Sequence, residues 1–232
     1  MRSAISLDRR QFTTGLLGLA ASAAVPVAKP LAAAPLTAPD RPIARKFKVF
    51  WKGDAIGTHA FSIVPSGRPG DWDVIVDIDF LIDLGWFGEI TYRHTSRETW
   101  RGGRLASLES RTDDDGDVSN VTGAAAGDCF RMQGPNGAFE TPGNVLTSNS
   151  AWSEQVCRER QIIDATAGTL VDLVASLDGT GYAFALGQQH PARIYQLISP
   201  IVAGSFWYDD AGIWIKGLLQ RRGQEIEYIL AA

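Results

Sequence analysis

From residue 72 to residue 83 the chain changes character at almost every step. Trp72, Val74, Val76, Ile78, Phe80 and Ile82 form one set, and Asp73, Asp77, Asp79 and Asp83 stand on the other. Side chains of an extended strand point to opposite faces in turn. Alternation this long therefore means a sheet with one dry face and one wet face. The same period recurs on either side. Phe47, Val49 and Trp51 alternate with Lys46, Lys48 and Lys52, and after a Gly53-Asp54 turn His59, Phe61 and Ile63 share a face. Residues 90–100 and 105–112 read as strands joined at Arg101-Gly102-Gly103, and Asp113 to Asp117 form the next hairpin tip.

The pattern weakens after residue 123. Residues 129–133 and 138–141 read as short strands, 142–149 as a loop, and 151–160 as a short helix capped by Ser150, with Glu154 near its start. Strands resume at 169–176, 182–186 and 193–199. A meander over 204–208, 213–221 and 224–230 closes the chain, with turns at Asp209 to Gly212 and at Arg222-Gly223. Many strands, short turns and one helix predict an all-β domain over 44–232. More than about ten strands in one open sheet must curl or close. The expected architecture is a strongly curved antiparallel sheet, a partly open β-barrel or a β-spiral.

The first 34 residues read differently. Asp8-Arg9-Arg10-Gln11-Phe12 precedes an apolar run from Gly15 to Val25, too short for a membrane span. This layout predicts a cleavable leader. The arginine pair followed by x-Phe marks the twin-arginine form, with an ordinary secretory signal as the alternative. Residues 35–43 then read as a flexible tether. The expected destination is the periplasm, with no transmembrane span in the mature chain. Removing residues 1–34 takes four of the 22 basic groups and one of the 26 acidic ones, leaving 18 against 25. That balance argues against nucleic acid as a partner. An oxidising compartment would let Cys129 and Cys157 pair; two free thiols are the other reading.

Chemistry concentrates in Tyr92-Arg93-His94-Thr95-Ser96-Arg97-Glu98-Thr99-Trp100. Alternation places Tyr92, His94, Ser96, Glu98 and Trp100 on one face. His94 and Glu98 would have Cα atoms about 13 Å apart, able to line one cavity but not to bond directly. A buried carboxylate needs a partner, and Arg111 or Arg104 on the neighbouring strand could supply it. The same cluster could equally be a structural polar network. His59, His94 and His190 follow no metal spacing, and the Asp113–Asp117 tip lacks the ligand pattern of a calcium loop. No nucleophile elbow, phosphate loop or dinucleotide fingerprint occurs, so no cofactor is expected. Seven tryptophans are available to fill or line the interior.

Several stretches together carry a resemblance: Gly53-Asp54-Ala55-Ile56-Gly57, Tyr92-Arg93-His94, Glu98-Thr99-Trp100, Gly103-Arg104-Leu105, Ser110 to Gly116, Trp207-Tyr208-Asp209 and Ile226-Glu227-Tyr228. They resemble a proteobacterial family of exported proteins of about this length, commonly with twin-arginine signals and with no assigned activity. At Asn149-Ser150-Ala151-Trp152 the chain departs from that pattern, which would place a His before the Trp. The resemblance extends distantly to β-spiral envelope-integrity proteins and half-barrel lipoprotein carriers, and implies a curved sheet and an envelope location.

Three functions are therefore expected in order. The first is a non-enzymatic periplasmic protein that binds an amphipathic or lipid-like ligand or an envelope partner, with Tyr92, His94, Glu98, Trp100 and Arg111 at the polar part of its cavity. The second is a hydrolase or isomerase using His94 and Glu98 as acid and base. The third is an interaction module with a packed core.

Overall fold

A computed structural model describes residues 35–37, 40–83, 85–221 and 223–232. The expected leader, residues 1–34, lies outside the described residues. The strands are β1 (Ile43–Trp51), β2 (Asp54–Pro65), β3 (Trp72–Asp83), β4 (Glu89–Arg101), β5 (Arg104–Asp114), β6 (Asp117–Ala126), β7 (Cys129–Gly134) and β8 (Gly137–Pro142). They continue with β9 (Leu146–Thr147), β10 (Gln161–Asp164), β11 (Thr169–Asp172), β12 (Val174–Ala185), β13 (Gln188–Ile198), β14 (Ala203–Tyr208), β15 (Trp214–Arg221) and β16 (Gln224–Leu230). Three short 3-10 helices are η1 (Gly85–Phe87), η2 (Ser148–Trp152) and η3 (Glu154–Arg158).

Among the described residues, thirteen strands form one antiparallel sheet in the order β12-β13-β14-β15-β16-β1-β2-β3-β4-β5-β6-β7-β8. The first and last of the described strands, β1 and β16, pair near the middle of it. The sheet curves strongly but does not close, because its ends β12 and β8 do not pair. Bulges at Val49/Phe50, Thr99/Trp100, Leu177/Gly179 and Trp207/Tyr208 bend and twist individual strands. Gly57 adds a bend that only glycine allows. Its φ is +149°, and a side chain there would drive into the Asp79 carbonyl of β3.

The alternation read in β3 and β4 is present in three dimensions. Trp72, Val74, Val76 and Phe80 are buried while Ile75, Asp77, Asp79 and Leu81 are exposed. On β4, His94, Ser96, Glu98 and Trp100 are buried while Arg93, Thr95 and Arg97 are exposed. The core lies on the inner face of the curve.

Residues 143–173 connect the two edge strands and fill that inner face. They carry the small sheet β11-β10-β9 and helices η2 and η3. On one side Ser110 Oγ donates to the Ala165 carbonyl (2.5 Å) and Ser119 Oγ to the Thr166 carbonyl (2.9 Å). On the other side Arg193 grips both oxygens of Glu154 at 2.7 Å, and the Tyr208 hydroxyl donates to the Ala151 carbonyl at 3.0 Å. The segment is a plug latched to both halves of the sheet.

Three local expectations are corrected. The helix read over 151–160 is two five-residue 3-10 turns. Ser153 interrupts them in an extended conformation (φ −110°, ψ 131°), forms a β-bridge to Ile213, and accepts from the Gln155 N–H. Ser150 is not the N-cap; that place belongs to Thr147, and Ser150 sits inside the first turn and completes a capping box by accepting from the Thr147 N–H. The strands read at 169–176 and 182–186 are instead β11 and one long β12, which carries a bulge at Asp178. Part of the expected tether is seated. Leu36 is buried, its N–H donates to the Gly103 carbonyl at 2.9 Å, and Thr37 N–H donates to Gln155 Oε1 at 2.6 Å. This approach needs a glycine at 103, where a Cβ would stand 2.8 Å from the Leu36 carbonyl oxygen. Cys129 on β7 and Cys157 on η3 stand as free thiols in this structure.

Candidate functional site

Between the plug and the sheet lies a cavity of about 510 Å³. Inner-face residues of β2, β3 and β4 form one wall, residues of β13 to β16 the second, and the plug the third. The cavity is apolar over most of its surface, with Trp152, Val156, Leu197, Val202, Phe206 and Leu219 among its walls. Polar groups come from Tyr92 and His94 on β4, Asn149, Asp164 and Thr166 on the plug, and Gln220 and Arg221 on β15.

His94 owes its position to register. His59, Ile78, His94 and Thr112 stand opposite one another across β2, β3, β4 and β5, so all four project from one row. His94 is 2% exposed; its Nδ1 lies 2.8 Å from Thr112 Oγ1, and its Nε2 is buried without a partner. Burial pushes the imidazole below its ordinary range, against the opposing influence of Asn149 and Asp164. A buried nitrogen left open at a cavity wall is the kind of group that a ligand satisfies. His59 sits in an aromatic surround of Phe47, Trp214 and Tyr228, with ring centroids 5.3 to 6.1 Å away. Burial, with His94 a smaller cause, pushes it down to about 3, so the cavity wall carries it neutral.

Glu98 is fully buried and accepts from three neutral donors: Thr147 Oγ1 at 2.6 Å, Trp100 Nε1 at 3.0 Å and Asn149 Nδ2 at 3.3 Å. Burial raises its affinity for a proton, and the three donors pull the other way. Asn149 also donates to Ser96 Oγ at 2.8 Å. With its amide nitrogen committed to Glu98 and Ser96, the carbonyl oxygen is what Asn149 has left for the cavity. Glu98 thus fixes the orientation of a lining residue from behind the wall.

Of the five residues expected around the polar part, Tyr92 and His94 line the cavity. Glu98 and Trp100 do not; they stand behind it, with Trp100 stacked on Trp72 at 5.9 Å and 11°. Arg111 is exposed on the outer face, and Arg104 is exposed as well. The cause is the bulge that sets Trp100 opposite Leu105 but Thr99 opposite Ser107. The extra residue reverses the alternation, so Leu108, Ser110 and Thr112 turn inward. Neutral donors take the place at Glu98 that a guanidinium was expected to fill.

Sequence reasoning missed Asn149, Asp164, Arg221 and the two lining tryptophans Trp152 and Trp214 as site residues. The only advance signal was at Asn149, inside the motif that departs from the resembled family. Asp164 is buried, and its Oδ1 accepts from both the N–H (2.8 Å) and the hydroxyl (2.7 Å) of Thr166. Arg221 lies over the Tyr92 ring, 5.0 Å from its centroid. Among the described residues no three His, Cys, Asp or Glu side chains are grouped to hold a metal ion. The Asp113 tip closes as a turn, with Asp113 Oδ1 accepting from the Gly116 N–H at 2.9 Å. No helix among the described residues is long and apolar enough to cross a membrane.

A family described as a domain of unknown function, DUF6134, matches residues 47–231. The fold is similar to a crystal structure titled a beta-barrel-like protein of domain of unknown function DUF1849 from Brucella abortus. That likeness has a TM-score of 0.62 at 7% identity, and covers 82% of this chain and 96% of the other. At such identity it speaks for the fold alone. No curated protein matches the chain.

Proposed function

Because the chain belongs to the DUF6134 family, whose description assigns no activity, we propose its function from the cavity: it binds an amphipathic small molecule between plug and sheet. The observation that carries this reading is the cavity itself. Its volume of about 510 Å³ falls in the usual range for small-molecule sites. Its lining is divided in the way an amphiphile is divided. An aliphatic and aromatic surface from Trp152 to Leu219 suits a hydrocarbon chain, and a cluster with the open His94 Nε2 suits a polar end.

The geometry favours this over acid–base catalysis by His94 and Glu98. His94 reaches the cavity, whereas Glu98 is enclosed by Trp100, Thr147 and Asn149. A void of this size also argues against a fully packed interaction module. Delivery to the periplasm by the leader expected at residues 1–34 would fit the reading, since envelope spaces are where amphiphiles must be carried or sensed outside a bilayer.

Native mass spectrometry of the full chain tests it. After incubation with dodecylphosphocholine below its micellar concentration, a single adduct per chain is expected. It should be lost when the cavity is filled by Ala203→Trp with the fold intact. Adducts that form statistically, with no preferred stoichiometry and no response to the filling variant, would overturn the proposal.

A further inference from the structure

Resting on that reading of the cavity, the charges of its lining specify the polar end of the ligand. Among the described lining residues, the Asp and Glu type is represented by one acid, Asp164, and the Lys and Arg type by one base, Arg221. Asp164 comes from the plug at the end of β10, and Arg221 from the sheet at the end of β15. Among the described residues neither takes part in an ion pair. Asp164 is 5% exposed, and its Oδ1 accepts from the two Thr166 donors. Arg221 rests on Tyr92, which Asp114 and Asp164 also influence. Tyr92 and His94 stand within the electrostatic reach of both groups.

A buried carboxylate without a cation is costly, and so is a cavity that presents one charge to an oily guest. A ligand that brings a cation to Asp164 and an anion to Arg221 relieves the buried acid and complements the exposed base at once. The surroundings favour the same pairing. The aromatic ring of Tyr92, on which Asp164 acts, lines the cavity and can face a quaternary or primary ammonium. His94 lines the cavity and its buried Nε2 lacks a hydrogen-bond partner, which the anion or its ester oxygen would supply. A purely anionic amphiphile would meet Arg221 but be repelled by Asp164; a purely cationic one would suffer the reverse.

We infer that the ligand is zwitterionic, with its ammonium at Asp164, its anionic group at Arg221 and its chain among Trp152, Leu197 and Phe206. Two sources share this chemistry: a zwitterionic lipid headgroup with its tail, and a small free zwitterion without one.

Calorimetric titration of the full chain separates the possibilities. The probes share one chain length: dodecylphosphocholine, dodecanoate, dodecyltrimethylammonium and dodecyl maltoside, each below its micellar concentration. Phosphocholine without a tail is the fifth. Dodecylphosphocholine should bind about tenfold or more tightly than the other three amphiphiles, a difference of ~1.4 kcal/mol. Binding of tailless phosphocholine within about tenfold of dodecylphosphocholine would assign the free zwitterion as ligand; its failure to bind beside a binding dodecylphosphocholine would assign the lipid. Asp164→Asn should strengthen dodecanoate, and Arg221→Gln should strengthen dodecyltrimethylammonium. Arg221 is exposed at the rim, so that variant keeps the test alive if Asp164→Asn fails to fold. Dodecanoate or dodecyl maltoside binding as tightly as dodecylphosphocholine, with neither variant altering the order, overturns the charge rule while leaving an amphiphile site. No binding by any amphiphile overturns the cavity reading itself.

Discussion

Replacing Glu154 with Gln should loosen the plug by an amount that the structure lets one estimate. Glu154 opens η3 and receives Arg193 Nε and Nη2 at 2.7 Å each, with the Tyr195 hydroxyl also donating at 2.7 Å. Arg193 is held from behind by the Asp209 carbonyl at 2.9 Å, so the fork is fixed before it meets the carboxylate. The two side chains are 32% and 17% exposed, which places the pair between a surface bridge and a buried one. A bidentate charged contact is worth more than a surface pair of up to about 1 kcal/mol, and its partial exposure discounts the full charged-bond value. Gln keeps one acceptor and loses the charge, so Glu154→Gln should cost about 1.5 kcal/mol. For a domain of this size that is about 3–6 °C in Tm.

The pH dependence has a definite sign. Arg193 holds the Glu154 carboxyl below the usual carboxylate range. The folded state therefore releases this proton more readily than the unfolded chain. The stabilisation is fully present above the ordinary carboxylate value and is lost as pH falls through the lower folded value. Urea unfolding followed by tryptophan emission at several pH values measures both quantities. A loss below about 0.5 kcal/mol at neutral pH, or a gap between wild type and variant that widens in acid, would refute the latch as described.

Three further outcomes follow from other parts of the fold. Glu98→Gln should flatten the pH response in the opposite sense. Burial raises the Glu98 carboxyl, so its contribution is greatest below the ordinary carboxylate value and declines as pH rises toward the raised folded value; urea midpoints from acid to neutral pH that fall equally in both proteins would contradict this. Leu36→Ala should cost about 2 kcal/mol or more because the side chain is buried, and a change under about 0.5 kcal/mol in urea unfolding would show that residues 35–37 do not pack on the domain. Arg111→Ala should change stability by less than about 0.5 kcal/mol and leave probe affinity intact; a loss of binding would return Arg111 to the site.

How much of this was legible depends on where one looks along the chain. β3 and β4 could be read residue by residue because each has one face inside and one outside, so hydropathy reports geometry directly. On β5 the same rule fails at a single extra residue near Ala106. Strict alternation from Leu105 turns Arg111 inward, while the bulge turns it out. Bulges are set by pairing with a neighbour, which a one-strand pattern does not contain. The plug was still less legible. Residues 143–173 are held by Ser, Thr and backbone contacts to distant strands, such as Ser110 to Ala165 and Ser119 to Thr166, and such contacts leave no periodicity. Asp164 and Asn149 reach the cavity only because the plug folds back across the sheet. His94 was legible because it lies where β4 pairs with β3 without a break in register.

The central claim is that a hydrocarbon chain lies between plug and sheet, against Trp152 and Trp214. Tryptophan quenching by a phosphocholine amphiphile brominated on its chain measures that directly, because the bromine quenches only rings it nearly touches. Saturable quenching is expected in the wild type, with most of it lost in Trp152→Phe combined with Trp214→Phe. Quenching that persists undiminished in the double variant would place the chain elsewhere, with the fully exposed Trp86 as its contact, and would contradict the account.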